Sequence, residues 1–161
     1  MLVCDINYAM LATGIERADK RSDGDGISWV CGDAEALPVP DRSVDAYTIA
    51  FGLRNVTRID KALHEARRVL RPGGRFMCLE FSRPALAVID SAYDFYSFKL
   101  LPEIGHWVSG DRDAYVYLVE SIRNFPDQER LKDRMRAVGF ERVLQRDLSG
   151  GIAAIHSAWR L

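Results

Sequence analysis

Acidic side chains follow the first two apolar runs of the chain. Asp5 closes the run 2–5, and Asp33, with the small residue Ala34 beside it, comes shortly after the run 27–31. If both runs are strands, Asp5 can accept hydrogen bonds from the two hydroxyls of a ribose, and Asp33 and Ala34 can meet the amino group and ring of an adenine. Two plainer interpretations stay open: Asp5 caps the following helix, and Asp33 lies in a polar loop.

A third apolar run, 45–51, leads into Gly52 and Arg54. Gly52 would let the backbone approach a ligand closely. Arg54 offers a permanent cation with a planar fork of donors, which suits a phenolate or enolate oxygen. The alternative interpretation is that Arg54 is a partner in a surface ion pair.

These residues lie between strands and helices that alternate along the chain. Apolar runs predict strands over residues 2–5, 27–31, 45–51 and 76–81. Helical spacing predicts helices over 6–20 and 57–70, and a loop is expected over 32–41. This alternation builds a parallel sheet with helices on both faces, and ligands bind such a sheet beyond the carboxyl ends of its strands. The fold class is therefore α/β. Thr57 and Asp60 stand at capping-box spacing and predict the start of the second helix.

The second half of the chain breaks this alternation. An aromatic-rich stretch from about 84 to 125 predicts two or three inserted helices, which either wall a substrate pocket or cap a hydrophobic core. A further helix is predicted from about Pro126 to Gly139, where glycine ends it. Residues 140–148 and 151–159 predict an antiparallel hairpin at one end of the sheet. We expect residues 1–161 to form one domain with this helical insertion.

Composition excludes several classes of protein. The 161 residues carry 22 Lys and Arg against 23 Asp and Glu, a balance without the basic surplus of a general nucleic-acid binder. The three cysteines, Cys4, Cys31 and Cys78, show no paired CxxC spacing, which argues against a zinc ribbon and a disulfide scaffold, and no metal site is expected. No apolar run approaches the roughly 18 residues that cross a bilayer.

The motifs are more specific together than apart. The strings DIN at 5–7, GDAEALP at 32–38 and RVLRPGG at 68–74 occur in the order and spacing that resemble class I methyltransferases dependent on S-adenosylmethionine. FGLRNVT at 51–57 and LEFS at 79–82 narrow the match, and with them the chain resembles the ubiquinone/menaquinone biosynthesis C-methyltransferase family. The similarity continues to GIAAIH at 151–156 and covers essentially the whole chain.

The resemblance implies a Rossmann-like class I methyltransferase sheet, mostly parallel with an antiparallel last strand. It implies S-adenosyl-L-methionine as cofactor, bound by Asp5, Asp33 and Ala34. It implies C-methylation of the ring of a polyprenyl benzoquinol or a demethylmenaquinol, with Arg54 as the catalytic residue that stabilises a developing oxyanion or orients a water that takes the proton. His106 and His156 are weaker acid–base candidates, because the resemblance requires no base at His106 and His156 falls in a predicted strand.

The sequence departs from the family pattern at its beginning. The family's first strand and its acidic, glycine-rich loop, which packs against the methionine part of the cofactor, have no counterpart here. Gly24 and Gly26 follow a helix, whereas the loop must follow a strand and open a helix. We therefore expect the chain to correspond to the carboxyl-terminal two-thirds of the enzyme, with Met1 leading directly into a strand.

The implied substrate also suggests partners and a location. A quinol with an isoprenoid tail resides in a bilayer, so the resemblance implies peripheral membrane contact, and it leaves a homodimer or a quinone-biosynthesis complex open. The location would be the cytoplasmic side of a bacterial inner membrane or the matrix side of a mitochondrial one. Two rival functions remain: a catalytically inactive fragment or scaffold subunit, and a nicotinamide-dependent enzyme, which would need a G-x-G-x-x-G motif that the sequence lacks.

Overall fold

The structure of the protein, a computed structural model, describes residues 1–21, 25–82 and 112–161. Its helices and strands are β1 (Leu2–Asp5), α1 (Tyr8–Arg21), β2 (Ser28–Cys31), β3 (Val44–Ala50), α2 (Ile59–Val69), β4 (Leu70–Phe81), α3 (Arg112–Asn124), α4 (Gln128–Ala137), β5 (Glu141–Leu148) and β6 (Ala153–Arg160). Short 3₁₀ turns lie at Leu53–Asn55 and Ser149–Gly151. The predicted helical insertion falls outside the described residues except for its last part, which is α3.

The strands form two sheets. β1 and β2 pair in parallel, and a second sheet has the order β3-β4-β6-β5. β3 and β4 are parallel, whereas β6 runs antiparallel to both of its neighbours, β4 and β5. The α/β fold and the closing antiparallel pair are confirmed, and β6 lies inside the sheet while β5 forms its edge.

The core lies where α2 and α4 pack on the larger sheet. Its buried members are Leu53, Ala62, Leu63, Ala66, Leu70, Phe76, Cys78, Phe125, Leu131, Met135, Val138, Phe140 and Ala158. Helical spacing of 62, 63, 66 and 69 directs one face of α2 inward, as the sequence predicts. Close packing of this kind holds the loop at the carboxyl end of β3, which contains Leu53, in a fixed position.

The predicted capping box at the start of α2 is wrong. The helix begins at Ile59, its N-cap residue is Arg58, and no side chain of the cap accepts a hydrogen bond from the helix. The carboxylate of Glu35 instead accepts from the backbone N of Arg58 at 2.8 Å and from its Nε at 2.6 Å. A contact from 23 residues away therefore anchors the loop that enters this helix.

The PGG segment at 72–74 belongs to β4 rather than to a separate turn. Pairing with β3 shifts register there, between the partner pairs Val44–Leu70 and Ala46–Arg75. Gly73 has φ +83°, a conformation that glycine adopts without the steric cost of a side chain. Within the described ranges, no helix is both long and apolar enough to cross a membrane.

Candidate functional site

A cavity of about 400 Å³ opens where β1 and β3 end. Its lining residues are Cys4, Asp5, Ile6, Gly32, Asp33, Ala34, Glu35, Leu37, Tyr47, Thr48, Ile49, Ala50, Gly52, Asn55, Val56 and Thr57. The structure thus brings Asp5, Asp33 and Ala34, three of the four predicted site residues, to one cavity. The position agrees with the rule that open α/β sheets bind ligands beyond the carboxyl ends of their strands.

The turn after β1 leaves part of the Asp5 carboxylate available. Asp5 Oδ1 accepts a hydrogen bond from Asn7 N at 2.8 Å. Asn7 Oδ1 accepts from Ala9 N at 2.9 Å, so Asn7, and not Asp5, caps α1. Among the described residues Asp5 Oδ2 has no hydrogen-bond partner, which leaves an oxygen for the hydroxyls of a ligand.

The loop after β2 is a tight turn that holds Asp33 at the rim of the cavity. Asp33 Oδ1 accepts from Glu35 N at 2.8 Å, and a backbone bridge joins Asp33 to Ala36. Ala34 is partly buried against the core. The backbone at Gly32 is packed closely, since a Cβ there would lie 2.6 Å from Pro38 Cδ. A small residue is therefore required directly beside Asp33.

Other acids near the cavity have structural roles. The hydrogen bond from the backbone of Arg58, together with the Arg58 side chain, keeps the pKa of Glu35 below its usual range. The Arg68 side chain does the same for the pKa of Glu65, which also accepts from Leu37 N at 2.8 Å. Both carboxylates are ionised at neutral pH and hold the loop between β2 and β3 in place, so neither is poised as a proton donor.

Arg54 lies in a second, adjacent cavity of about 340 Å³. Its Nη1 donates to Glu80 Oε1 at 3.0 Å and also to the backbone oxygen of Phe51. Its guanidinium carbon lies 5.4 Å from the centre of the Phe81 ring. Arg54 Nε is buried without a hydrogen-bond partner in the described part of the chain. The guanidinium is therefore held from one side and keeps an unused donor.

The two cavities meet at Val56 and Thr57, which line both of them. Asn55 lines the first cavity, and its Oδ1 accepts from Tyr117 Oη at 3.2 Å. Phe51, directly after β3, has φ +54°, a strained backbone conformation for a residue with a side chain. Such strain is often found at functional sites and is consistent with one here.

Sequence reasoning missed Thr48 and Asn55 as lining residues. Thr48 is an exposed position in the middle of β3, and no motif marked it. Asn55 stands directly after Arg54, inside a string that carried the family resemblance, and this adjacency was an available signal.

The remaining titratable candidates are unsuited to acid–base chemistry in the first cavity. Burial raises the pKa of Tyr47 to about 12, so this lining phenol stays neutral. His156 is 2% exposed, and its Nε2 lies 3.1 Å from Gln128 O, away from the cavity. Burial lowers the pKa of His156. His64 is on α2 with Nδ1 2.8 Å from Asp60 O, and His106 lies outside the described residues.

Comparison with known families gives a match along almost the whole chain. The family model described as the ubiE/COQ5 methyltransferase family matches residues 1–160. The chain is 54% identical to the ubiquinone/menaquinone biosynthesis C-methyltransferase UbiE of Caulobacter vibrioides (strain NA1000 / CB15N), and the match covers 99% of the chain and 62% of that protein. It is 58% identical to the UbiE protein of Nitrobacter hamburgensis, with 99% and 63% covered. The chain thus spans somewhat over three-fifths of the length of these relatives.

Solved structures agree on the fold. The [4+2]-cyclase SpnF superposes with a TM-score of 0.72 at 20% identity, over 99% of this chain and 66% of that one. A Thermotoga maritima protein described as a SAM-dependent methyltransferase, possible histamine N-methyltransferase, superposes with a TM-score of 0.67 at 22% identity, over 99% and 72%. At these identities the similarity shows the class I methyltransferase fold.

Proposed function

The chain belongs to the ubiE/COQ5 methyltransferase family, and from that premise we propose that it takes part in methyl transfer from S-adenosyl-L-methionine to a ring carbon of a polyprenyl benzoquinol or a demethylmenaquinol. One observation of the structure carries the proposal: Asp5 at the end of β1 and Asp33 and Ala34 in the loop after β2 line a single cavity. The two relatives named above are, according to their names, C-methyltransferases of ubiquinone/menaquinone biosynthesis.

The residues around this cavity fit the nucleoside end of the cofactor. Asp5 Oδ2 is available to the ribose hydroxyls, and Asp33 at the rim is available to the adenine amino group. Ala34 lines the cavity with a side chain small enough to leave room for a flat ring. When bound, S-adenosyl-L-methionine supplies an electrophilic methyl group.

In the proposed mechanism Arg54 acts on the acceptor ring. Methylation at carbon requires electron density on that carbon, which an adjacent hydroxyl provides as it loses its proton. We propose that Arg54 stabilises the resulting oxyanion, or orients a water that takes the proton, through donors not used by Glu80 and Phe51. The acceptor ring would then lie where the two cavities meet, near Val56 and Thr57.

Surface residues support peripheral membrane contact as a part of this proposal. Ile6, Tyr8 and Met10, around the start of α1, are 69%, 74% and 62% exposed. Exposed apolar side chains beside a cavity suit a substrate whose tail is embedded in lipid. We propose the cytoplasmic face of a bacterial inner membrane as the location. Assembly as a homodimer or within a quinone-biosynthesis complex stays a prediction.

Calorimetric titration with S-adenosyl-L-methionine tests the cofactor assignment. Asp5→Asn and Asp33→Asn should each weaken binding, by about tenfold or more, because a hydrogen bond to a charged group contributes roughly 1.5–3 kcal/mol. Asp133→Asn on α4 is the matched control and should leave binding unchanged, since Asp133 pairs with Arg136 at the surface.

Methylation of a demethylated quinol with a short isoprenoid tail, followed by mass spectrometry, tests the reaction itself. The proposal expects a mass gain of one methylene, and it expects Arg54→Ala to abolish it. Absence of cofactor binding in calorimetry would contradict the proposal and favour the scaffold interpretation.

A further inference from the structure

The second cavity, of about 340 Å³, is lined by a cation and a carboxylate that do not bond to each other. Within the described residues, its ionisable lining side chains are Arg54, Tyr117 and Glu120. Arg54 comes from the loop after β3, whereas Tyr117 and Glu120 come from α3. A molecule bound in this cavity would therefore meet a guanidinium and a carboxylate that different elements supply.

One face of α3 supplies the carboxylate. The lining residues of this helix are Tyr117, Glu120, Ser121 and Asn124. They stand at positions i, i+3, i+4 and i+7, which share one face of a helix. Val119 and Ile122 are buried, so the helix packs on the protein through a different face. α3 thus presents a polar face to the cavity, with Glu120 in the middle of it.

The Glu120 carboxylate is free to accept a hydrogen bond. Tyr117 Oη donates to Asn55 Oδ1 at 3.2 Å, and Ser121 Oγ donates to Leu118 O at 2.8 Å, so both hydroxyl hydrogens are used. Among the described residues Glu120 has no hydrogen-bond or ion-pair partner, and it is exposed. An ionised carboxylate offers acceptors only, so a hydroxyl brought into the cavity is a matching donor.

Glu80, the other carboxylate near Arg54, is already occupied. Its Oε1 accepts from Arg54 Nη1 at 3.0 Å and from Phe81 N at 2.9 Å, and its Oε2 accepts from Arg54 N at 3.2 Å. Protonation of Glu80 would leave the buried guanidinium without its counter-charge. In the described part of the chain, Glu120 is therefore the carboxylate suited to take a proton in this cavity.

We infer that Glu120 is the catalytic base that takes the proton of the acceptor-ring hydroxyl. The inference rests on the proposed function, because it assigns a partner to the hydroxyl on which Arg54 acts. Arg54 has donors that Glu80 does not use, so the ring oxygen can accept from Arg54 while its hydrogen points to Glu120. A cation beside the oxygen stabilises the developing charge, and the carboxylate receives the proton.

Protons and electrons balance across this step. The O–H bond breaks, its proton goes to the Glu120 carboxylate, and the electron pair left on oxygen raises the electron density of the ring carbon. That carbon forms its bond to the methyl group as the bond between methyl and sulfur breaks, and the electron pair of the broken bond stays on sulfur. The methylated carbon then loses its hydrogen to water as a proton, while the oxygen takes its proton back from Glu120. One proton is released to solvent in each turnover.

Binding of a nitrophenol that carries one isoprenyl group tests the contact without requiring methyl transfer. The phenolate form of this probe is coloured, so titration followed by absorbance gives both its affinity and its ionisation constant when bound. In Glu120→Gln the ionisation constant of the bound probe should rise by about tenfold or more, because a neighbouring negative charge disfavours the phenolate. Glu141→Gln, at an exposed position on β5, is the matched control and should leave it unchanged.

Methylation of the demethylated quinol with a short isoprenoid tail tests the proton transfer. Glu120→Gln should lower kcat by about 100-fold or more, which is the usual contribution of a positioned base. In Glu120→Ala, added formate should restore part of the rate, because a small carboxylate fits the vacated volume, whereas chloride at the same concentration should not. A residue that only supported α3 would not be rescued in this way. Circular dichroism confirms that each variant is folded.

Three results would each overturn the inference. They are a wild-type chain that does not bind the nitrophenol, a Glu120→Gln variant that leaves the ionisation constant of the probe unchanged, and a Glu120→Gln variant that methylates at the wild-type rate. Failure of the wild-type chain to methylate the quinol would instead contradict the proposed function. The nitrophenol titration would still decide, in that case, whether Glu120 faces the hydroxyl of a bound ring.

Discussion

Arg54 and Glu80 form a buried ion pair, with Arg54 Nη1 3.0 Å from Glu80 Oε1. Glu80 Oε2 also accepts from Arg54 N at 3.2 Å, so one carboxylate holds both the side chain and the backbone of Arg54. The side chains are 12% and 2% exposed. The pair joins β4 to the loop after β3 and sets the direction of the guanidinium.

We predict that Glu80→Gln destabilises the protein by about 3 kcal/mol, because removing one partner leaves a buried charge uncompensated. Urea unfolding followed by circular dichroism measures the effect. Asp60→Asn is the control: its partner Arg134 and Asp60 itself are 43% and 60% exposed, and loss of an exposed pair should cost under about 1 kcal/mol. Equal losses for the two variants would show that the Arg54–Glu80 pair contributes no more than a surface pair.

Gly32→Ala should weaken cofactor binding as well as stability. The added Cβ would lie 2.6 Å from Pro38 Cδ and 3.1 Å from Cys4 Sγ, so the loop that carries Asp33 must move. Overpacking of this kind costs about 1–3 kcal/mol. Gly73→Ala is a useful comparison, because it strains a residue at φ +83° with open space around it and should lower stability without changing binding. Calorimetry and thermal unfolding separate the two effects, and unchanged binding by Gly32→Ala would contradict the prediction.

His156 should make stability depend on pH in a defined window. Burial lowers its pKa in the folded protein, whereas the unfolded chain binds a proton near the ordinary value of about 6.5. The unfolded state therefore holds more protons below that pH, and the contribution to stability is full above about pH 6.5 and declines as the pH falls.

Unfolding in urea at pH 5.5 and pH 7.5 measures this contribution, and both pH values lie above the range where Glu35 and Glu65 titrate. His156→Gln should flatten the difference between the two, and His64→Gln should not, since His64 is exposed on α2. The same slope in the wild-type protein and in His156→Gln would rule out this role for the buried ring.

The three cysteines should differ in reactivity. All are free thiols; Cys31 is exposed, Cys4 is intermediate and Cys78 is buried. Burial raises the pKa of both Cys4 and Cys78. Because the thiolate is the reactive form, iodoacetamide at pH 8 should label Cys31 first and Cys78 only on unfolding. Peptide mapping with a Cys31→Ser control measures the order, and early labelling of Cys78 would contradict the buried placement.

Local patterns along the chain were enough for much of the fold. Apolar runs and helical spacing predicted β1, α2 and the closing strands, because residues that share a face recur at a period that neighbouring positions reveal. The glycine after α4 was also predictable from a local signal. Gly139 has φ +91°, a conformation that favours glycine over residues with a side chain. The acids at the ends of strands were found because a sheet places such ends at one edge.

By itself, the sequence determined that Asp5, Asp33 and Ala34 would follow strands of an α/β sheet, and the structure gathers all three at one cavity. Tertiary structure alone decided that Arg54 is held by Glu80 and that Glu35 anchors the start of α2 in place of Thr57. The physical reason is distance along the chain. Each of these contacts joins segments more than 20 residues apart, and hydrogen bonds and ion pairs of that kind have no period or spacing in the sequence.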